Sequence, residues 1–195
     1  MKSILYPAIM AGLLTAAPAF ATTIDFESPT SFNSIGNFYA TSGVSFGGDA
    51  LAVRNDALGP YFSNAPSPLG VMTAVGADAT MNVLNGFTGL VSFFYASTDI
   101  ATIGVYSGLD GTGDLLGVFD LLANANDGCN DSAFCNWSEA TLSFFGVAKS
   151  ITFGDAAYVA GFDNVSFSAV PEPGTALLLG LGLTALVASR RRTAK

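Results

Sequence analysis

Apolar residues recur at every second position through most of the middle of this chain. Ile24 and Phe26, Val44 and Phe46, Leu51 and Val53, Val91, Phe93 and Tyr95, Ile103 and Val105, Leu142 and Phe144, Ile151 and Phe153, and Val165 and Phe167 follow this spacing, mostly with polar or small residues between them. Successive side chains on a strand point to opposite faces, so period two predicts strands with one face in a core and the other in water. Between these runs lie turn-forming clusters: Ser28-Pro29-Thr30, Gly47-Gly48-Asp49, Asn64 to Pro68, Asn85-Gly86, Leu109 to Asp114 and Asn124 to Asn136. Short strands with Gly and Asn turns, and no convincing helical period among them, predict an all-β fold: an antiparallel β-sandwich or jelly-roll-like domain with the 16 phenylalanines supplying its core. Asn33 to Tyr39 fits either a helical turn or a loop.

The pattern stops at both ends. Met1-Lys2, the apolar Ile4 to Thr15 and the small-x-small Ala19-Phe20-Ala21 predict a secretory signal peptide over residues 1–21. At the other end Pro171-Glu172-Pro173 is followed by an uncharged apolar run, Gly174 to Ser189, and then by Arg190-Arg191-Arg192. Positive charge stays cytoplasmic, so this tail places everything upstream of Pro171 across a membrane. A helix over the sixteen residues of the run reaches only ~24 Å, short of the ~30 Å hydrocarbon core. Such a segment suits a transient role in sorting; an ordinary anchor that is never cut is the competing reading. Residues 22–170 are left as one exported domain, long enough for a real core.

Setting the ends aside also changes the charge. Of 7 Lys and Arg only Arg54 and Lys149 fall in the body, against 14 of the 15 Asp and Glu, a formal −12. That sign repels nucleic acid and anionic lipid and attracts cations, although acidity also simply keeps an exported protein soluble. The chain has no histidine, which excludes Ser-His-Asp, Cys-His and His-metal chemistry. Cys129 and Cys135, with five residues between them in an exported chain, are expected to form a local disulfide.

Three candidate chemistries follow. Asp163 shares strand parity with Val165 and Phe167 and is expected to point inward, where a carboxylate needs backbone N–H donors or a calcium ion shared with Glu27. Trp137, beside the cysteine loop, is the best of the aromatic residues (Tyr39, Tyr61, Tyr95, Tyr106 and Tyr158 are the others) for stacking on a sugar ring; packing on the loop is the alternative. Glu27 or Glu139 with an aspartate would be needed for glycoside hydrolysis, but nothing fixes a pair at the required separation, and a non-catalytic domain is expected. Leu109 to Asp114 lacks the lysine of a phosphate loop and predicts a hairpin turn.

The order Pro-Glu-Pro, apolar helix, arginine cluster resembles the PEP-CTERM tail of Gram-negative bacterial proteins handled by an exosortase. Asp25-Phe26-Glu27, Gly43 to Phe46, Tyr106-Ser107-Gly108 with Gly111-Thr112-Gly113, and Phe162 to Phe167 are similar to the ectodomain common in such proteins. The resemblance implies passage through the inner membrane, exosortase as a partner, and a sandwich at the cell surface or in the extracellular matrix, associated with exopolysaccharide or purely structural. It implies no reaction.

Overall fold

The computed structural model describes residues 21–57, 59–170 and 181–182. The leader up to Phe20 and the tail residues Pro171, Glu172, Pro173, Arg190, Arg191 and Arg192 lie outside the described residues. Among the described residues no helix is long and apolar enough to cross a membrane.

The body is an antiparallel β-sandwich of strands β1 (Ala21–Ile24), β2 (Val44–Phe46), β3 (Ala50–Arg54), β4 (Gly70–Ala74), β5 (Thr80–Ser97), β6 (Ala101–Tyr106), β7 (Leu115–Leu121), β8 (Ser138–Thr152) and β9 (Ala160–Ala169). Short 3-10 turns occupy Ala40–Ser42 and Gly154–Ala156. The long strands β5 and β8 run through both layers. The start of β5 pairs with β2 and with the end of β8, which carries β6 and then β7. The rest of β5 pairs with the start of β8 and with β9, whose far edge is shared by β4 and β1. β3 closes that layer beside β4.

The β5/β8 pairing breaks between Asn82 and Phe87, where the two paired strands pass from one layer to the other. Asn85-Gly86, expected as a turn, lies inside this break. Gly86 has φ 80, and a Cβ there would come within 2.5 Å of a Val147 methyl. A bulge asks for the same left-handed backbone as a turn, so the dipeptide fits both.

The two layers meet on aromatic rings. Phe93 of β5 lies 4.5 Å from Phe119 of β7, 5.5 Å from Phe162 of β9 and 5.9 Å from Phe153, at centroid separations typical of tilted and edge-to-face pairs. Most of the alternating apolar residues point into this core. β3 reverses the expectation: Ala50 and Ala52 are fully buried, while Leu51 and Val53 are only partly covered. Alternation separates two faces without saying which is inner when one of them carries alanine.

Candidate functional site

Two loops beside β4 and β9 build the most distinctive surface of the sandwich. The first follows β3 and is shaped by Asn55, whose Oδ1 accepts from Tyr61 N at 2.8 Å and whose Nδ2 donates to Phe62 O at 2.8 Å. One side-chain amide thereby fixes where Tyr61 and Phe62 stand. The second, between β7 and β8, is rooted by buried Asn124, whose Oδ1 accepts from Ser97 N and whose Nδ2 donates to Tyr95 O and Ser138 Oγ. The Cys129–Cys135 disulfide closes this loop. The loops are joined by Ser63 N donating to Phe134 O at 3.0 Å, Asn64 Nδ2 donating to Cys135 O at 3.1 Å, and a Ser63–Ser132 hydroxyl contact.

Together they enclose an open cleft of about 260 Å³, with the rings of Phe32, Tyr61, Phe62, Phe134 and Trp137 among its walls and Val53 and Gly161 on the sheet beneath. Trp137 is held at both ends: Nε1 donates to Ser63 O at 2.9 Å, and the ring meets Phe62 edge-on at 6.1 Å. A Cβ at Gly161 would come 3.2 Å from the Trp137 ring, so the glycine is what lets the indole settle on β9. Phe32 is 49 % exposed and sits at φ 59, its ring edge-on to Tyr61 at 5.0 Å. A left-handed phenylalanine costs about 1–2 kcal/mol, the kind of local strain found where a site demands it. On its other side Trp137 borders a groove lined also by Asn64, Asp127, Asn136 and Phe94. An apolar floor of this kind can take the C–H face of a sugar ring, and the amide and carboxylate groups of the adjoining groove, across Trp137, can exchange hydrogen bonds with hydroxyls of a chain that extends over it.

Asp163 and Glu27 lie under the first loop. β9 carries a bulge at Asn164, φ 49, so that Ser166 pairs with Ser92 but Asp163 pairs with Phe94. This corrects the parity expectation: the extra residue turns Asp163 away from the side of Phe93 and Phe162. Its complete burial comes instead from the loop. Oδ2 accepts from Ser67 N at 2.7 Å; Oδ1 accepts from Asn164 N at 2.7 Å and contacts Ser67 Oγ. The same hydroxyl lies 2.9 Å from Asp25 O. Burial raises the Asp163 carboxyl to about 6; the Ser67 and Asn164 donors oppose that rise, and Glu27 adds to it. Glu27 Oε1 accepts from Leu69 N and Gly70 N at 2.8 and 2.9 Å.

The first and last strands do meet, β1 pairing along β9, and both carboxylates are satisfied by protein donors. The Ser67 hydroxyl occupies the point where Asp163 Oδ1 and Asp25 O converge, so the buried acid has protein donors at both of its oxygens. They also tie the first cleft loop to β1 and β9. Glu139 is exposed on β8. Phe32, Phe62 and Phe134 were not singled out by sequence, since an isolated phenylalanine in a loop has no period to betray its direction.

The family model of the PEP-CTERM protein-sorting motif matches residues 169–192. No curated protein matches the chain. Similar solved structures include CsCBM6-3 from Clostridium stercorarium in complex with cellobiose, 15 % identical over 76 % of this chain and 93 % of that one at a TM-score of 0.45. The family 29 carbohydrate binding module CBM29_1 from Piromyces equi is 13 % identical over 78 % and 92 % at 0.44. The K1 cleaved adhesin domain of Lys-gingipain from Porphyromonas gingivalis is 11 % identical over 77 % and 98 % at 0.44. At TM-scores this low the likenesses carry no argument about what this chain binds.

Proposed function

Because the chain is a PEP-CTERM sorting domain-containing protein, exported through the membrane and handled by an exosortase, we infer that its sandwich works at the cell surface or in the extracellular matrix as a non-catalytic, weak binder of exopolysaccharide. The observation that carries this reading is the open aromatic cleft around Trp137 with the polar groove that adjoins it. Its walls are fixed before any ligand arrives, by Asn55, the Ser63 and Asn64 bridges and the disulfide, which lowers the ordering cost of binding. The non-catalytic part of the reading is supported by Glu27 and Asp163, two of the available acids, being engaged by backbone N–H groups.

Trp137 is the only tryptophan, so its fluorescence reports directly on the cleft. Titration with polysaccharide from the native host should shift that emission, and Tyr61→Ala should weaken binding about tenfold, ~1.4 kcal/mol. Emission that stays unchanged with every glycan offered leaves a purely structural matrix protein as the function, and turnover of the polysaccharide would make it an enzyme. Calcium at Glu27 and Asp163 is tested in the same titration: with the carboxylates already satisfied, a chelator is expected to leave both affinity and melting temperature unchanged.

A further inference from the structure

The last described strand, β9, ends at Ala169, and the next residue, Val170, donates its N–H to Gly86 O at 2.9 Å. Around that point the outer face of the sheet changes character. Further along, β5, β8, β9 and β1 present a polar row: Ser92 pairs with Thr141 and Ser166, and the Ser166 hydroxyl meets Thr23 Oγ1 at 2.8 Å. Towards the chain exit the same face carries Leu90, Phe145 and Val147, exposed by 50, 97 and 44 %, and Leu84 projects from the adjoining bulge. Register brings Leu90, Phe145 and Val147 together: Thr88 pairs with Val147, Gly89 with Phe144 and Leu90 with Ser143, leaving Phe145-Gly146 as two extra residues, while Leu84 stands two residues before Gly86, against which the Val147 side chain packs.

Apolar side chains this exposed on a sheet face call for an occupant, and two observations identify it. First, only Pro171, Glu172 and Pro173 separate Val170 from the apolar tail segment, a stretch that reaches at most ~11 Å. Ala21, where the leader joins, pairs with Ser168 at this same end. Both membrane-directed segments therefore attach beside the patch. Second, the strands here are uncharged: β5, β1 and β9 beyond Asp163 carry no Asp, Glu, Lys or Arg, and the nearest charge on β8 is the cation Lys149. In a body of formal charge −12 these strands add no negative charge of their own, and the acid that touches β5 before Leu84 is Asp110, held by the Asn82 amide.

We propose that Leu84, Leu90, Phe145 and Val147 form a membrane-docking surface that seats the sandwich on the lipid interface while the chain is held at the membrane. Phe145 on its bulge enters the headgroup and acyl boundary as an interfacial side chain does. The cleft, beside the starts of β8 and β9, then faces away from the bilayer.

The test uses the full chain reconstituted into phosphatidylcholine vesicles with and without doxyl-labelled lipid. Native Trp137, just ahead of β8, serves as the reference at the cleft, and Phe145→Trp or Val147→Trp adds a reporter at the patch. Both added tryptophans should emit to the blue and be quenched by doxyl lipid at least about twofold more than Trp137 alone. Quenching no greater than that of Trp137 overturns the proposal. So does a blue shift that grows with the protein-to-lipid ratio and resists lipid quenchers, since it would mean that a second copy covers the patch. Neither result depends on whether the cleft binds a glycan.

Discussion

Two groups of apolar side chains reach solvent on this layer, one beside the starts of β8 and β9 and the other midway along β8 beside the end of β9, and they are built differently. Around Trp137 the rings of Tyr61, Phe62 and Phe134 stand on loops fixed by the Asn55 amide and the disulfide, the indole is itself hydrogen-bonded, and polar groups line the adjoining groove. Around Phe145 the side chains project from the sheet itself at bulges, and only Leu84 borders a hollow, shared with Asn37 and Ser45. A concave apolar surface with oriented polar groups selects a ligand of defined shape, whereas a convex apolar surface suits a fluid partner that conforms to it. The contrast predicts that changes in the latch and loops alter the cleft alone, and that changes at the bulge alter lipid contact alone.

Asp163→Ala should have the largest effect. It leaves Ser67 N and Asn164 N buried without acceptors and frees the first cleft loop, at a cost on the order of 3 kcal/mol by urea unfolding. Trp137 emission should shift even in the folded protein, while quenching at Phe145→Trp by lipid stays as it was. A stability loss under ~1 kcal/mol would mean that the latch does not hold the loop. The paired substitution Cys129→Ser with Cys135→Ser comes next. The closed loop is short, so about 2 kcal/mol is expected, again read in Trp137 and not at the patch.

The latch also has a pH signature. The Asp163 carboxyl sits at about 6 against an ordinary 3.8, so between those values the folded protein holds a proton that the unfolded chain has lost. Its stabilising contribution is complete below about 3.8 and disappears as pH rises through about 6. Urea unfolding from pH 4 to 7 should therefore show a decline that Asp163→Asn flattens. Parallel profiles for the two proteins would show that Asp163 titrates normally.

The strand framework was legible because burial imposes period two: the pairs from Ile24-Phe26 to Val165-Phe167 lie on core faces, with β3 reversed by its alanines. β4 and β7 were missed, since Gly-Val-Met-Thr-Ala and Leu-Leu-Gly-Val-Phe-Asp-Leu do not alternate cleanly. Trp137 and the cysteines stood out by rarity. The rest of the cleft did not, because it depends on which loops come together, and Asn55 joining Tyr61 and Phe62 across one loop has no linear signature. Asp163 shows the same limit from another side. Its composition and strand were readable, but one residue at Asn164 reversed its face, and a bulge is a property of pairing rather than of a single strand.

The smallest expected effect is the most diagnostic for the patch. Phe145 makes almost no contact with its own domain, so Phe145→Ser should change folding stability by no more than about 0.5 kcal/mol in either direction. Glycan titration through Trp137 should also be unaltered, since the substitution lies eight residues along the chain from Trp137 and outside the cleft lining. What should change is the behaviour of the inserted chain: with Val147→Trp as reporter, Phe145→Ser should weaken quenching by doxyl lipid, because removing one interfacial aromatic reduces the apolar area that holds the sandwich down. Stability loss of several kcal/mol would instead assign Phe145 to the fold. Unchanged quenching at Val147→Trp would mean that the tail alone keeps this end near the bilayer, by tether length and not by adhesion, and the difference between the two surfaces would then lie in connectivity and not in surface chemistry.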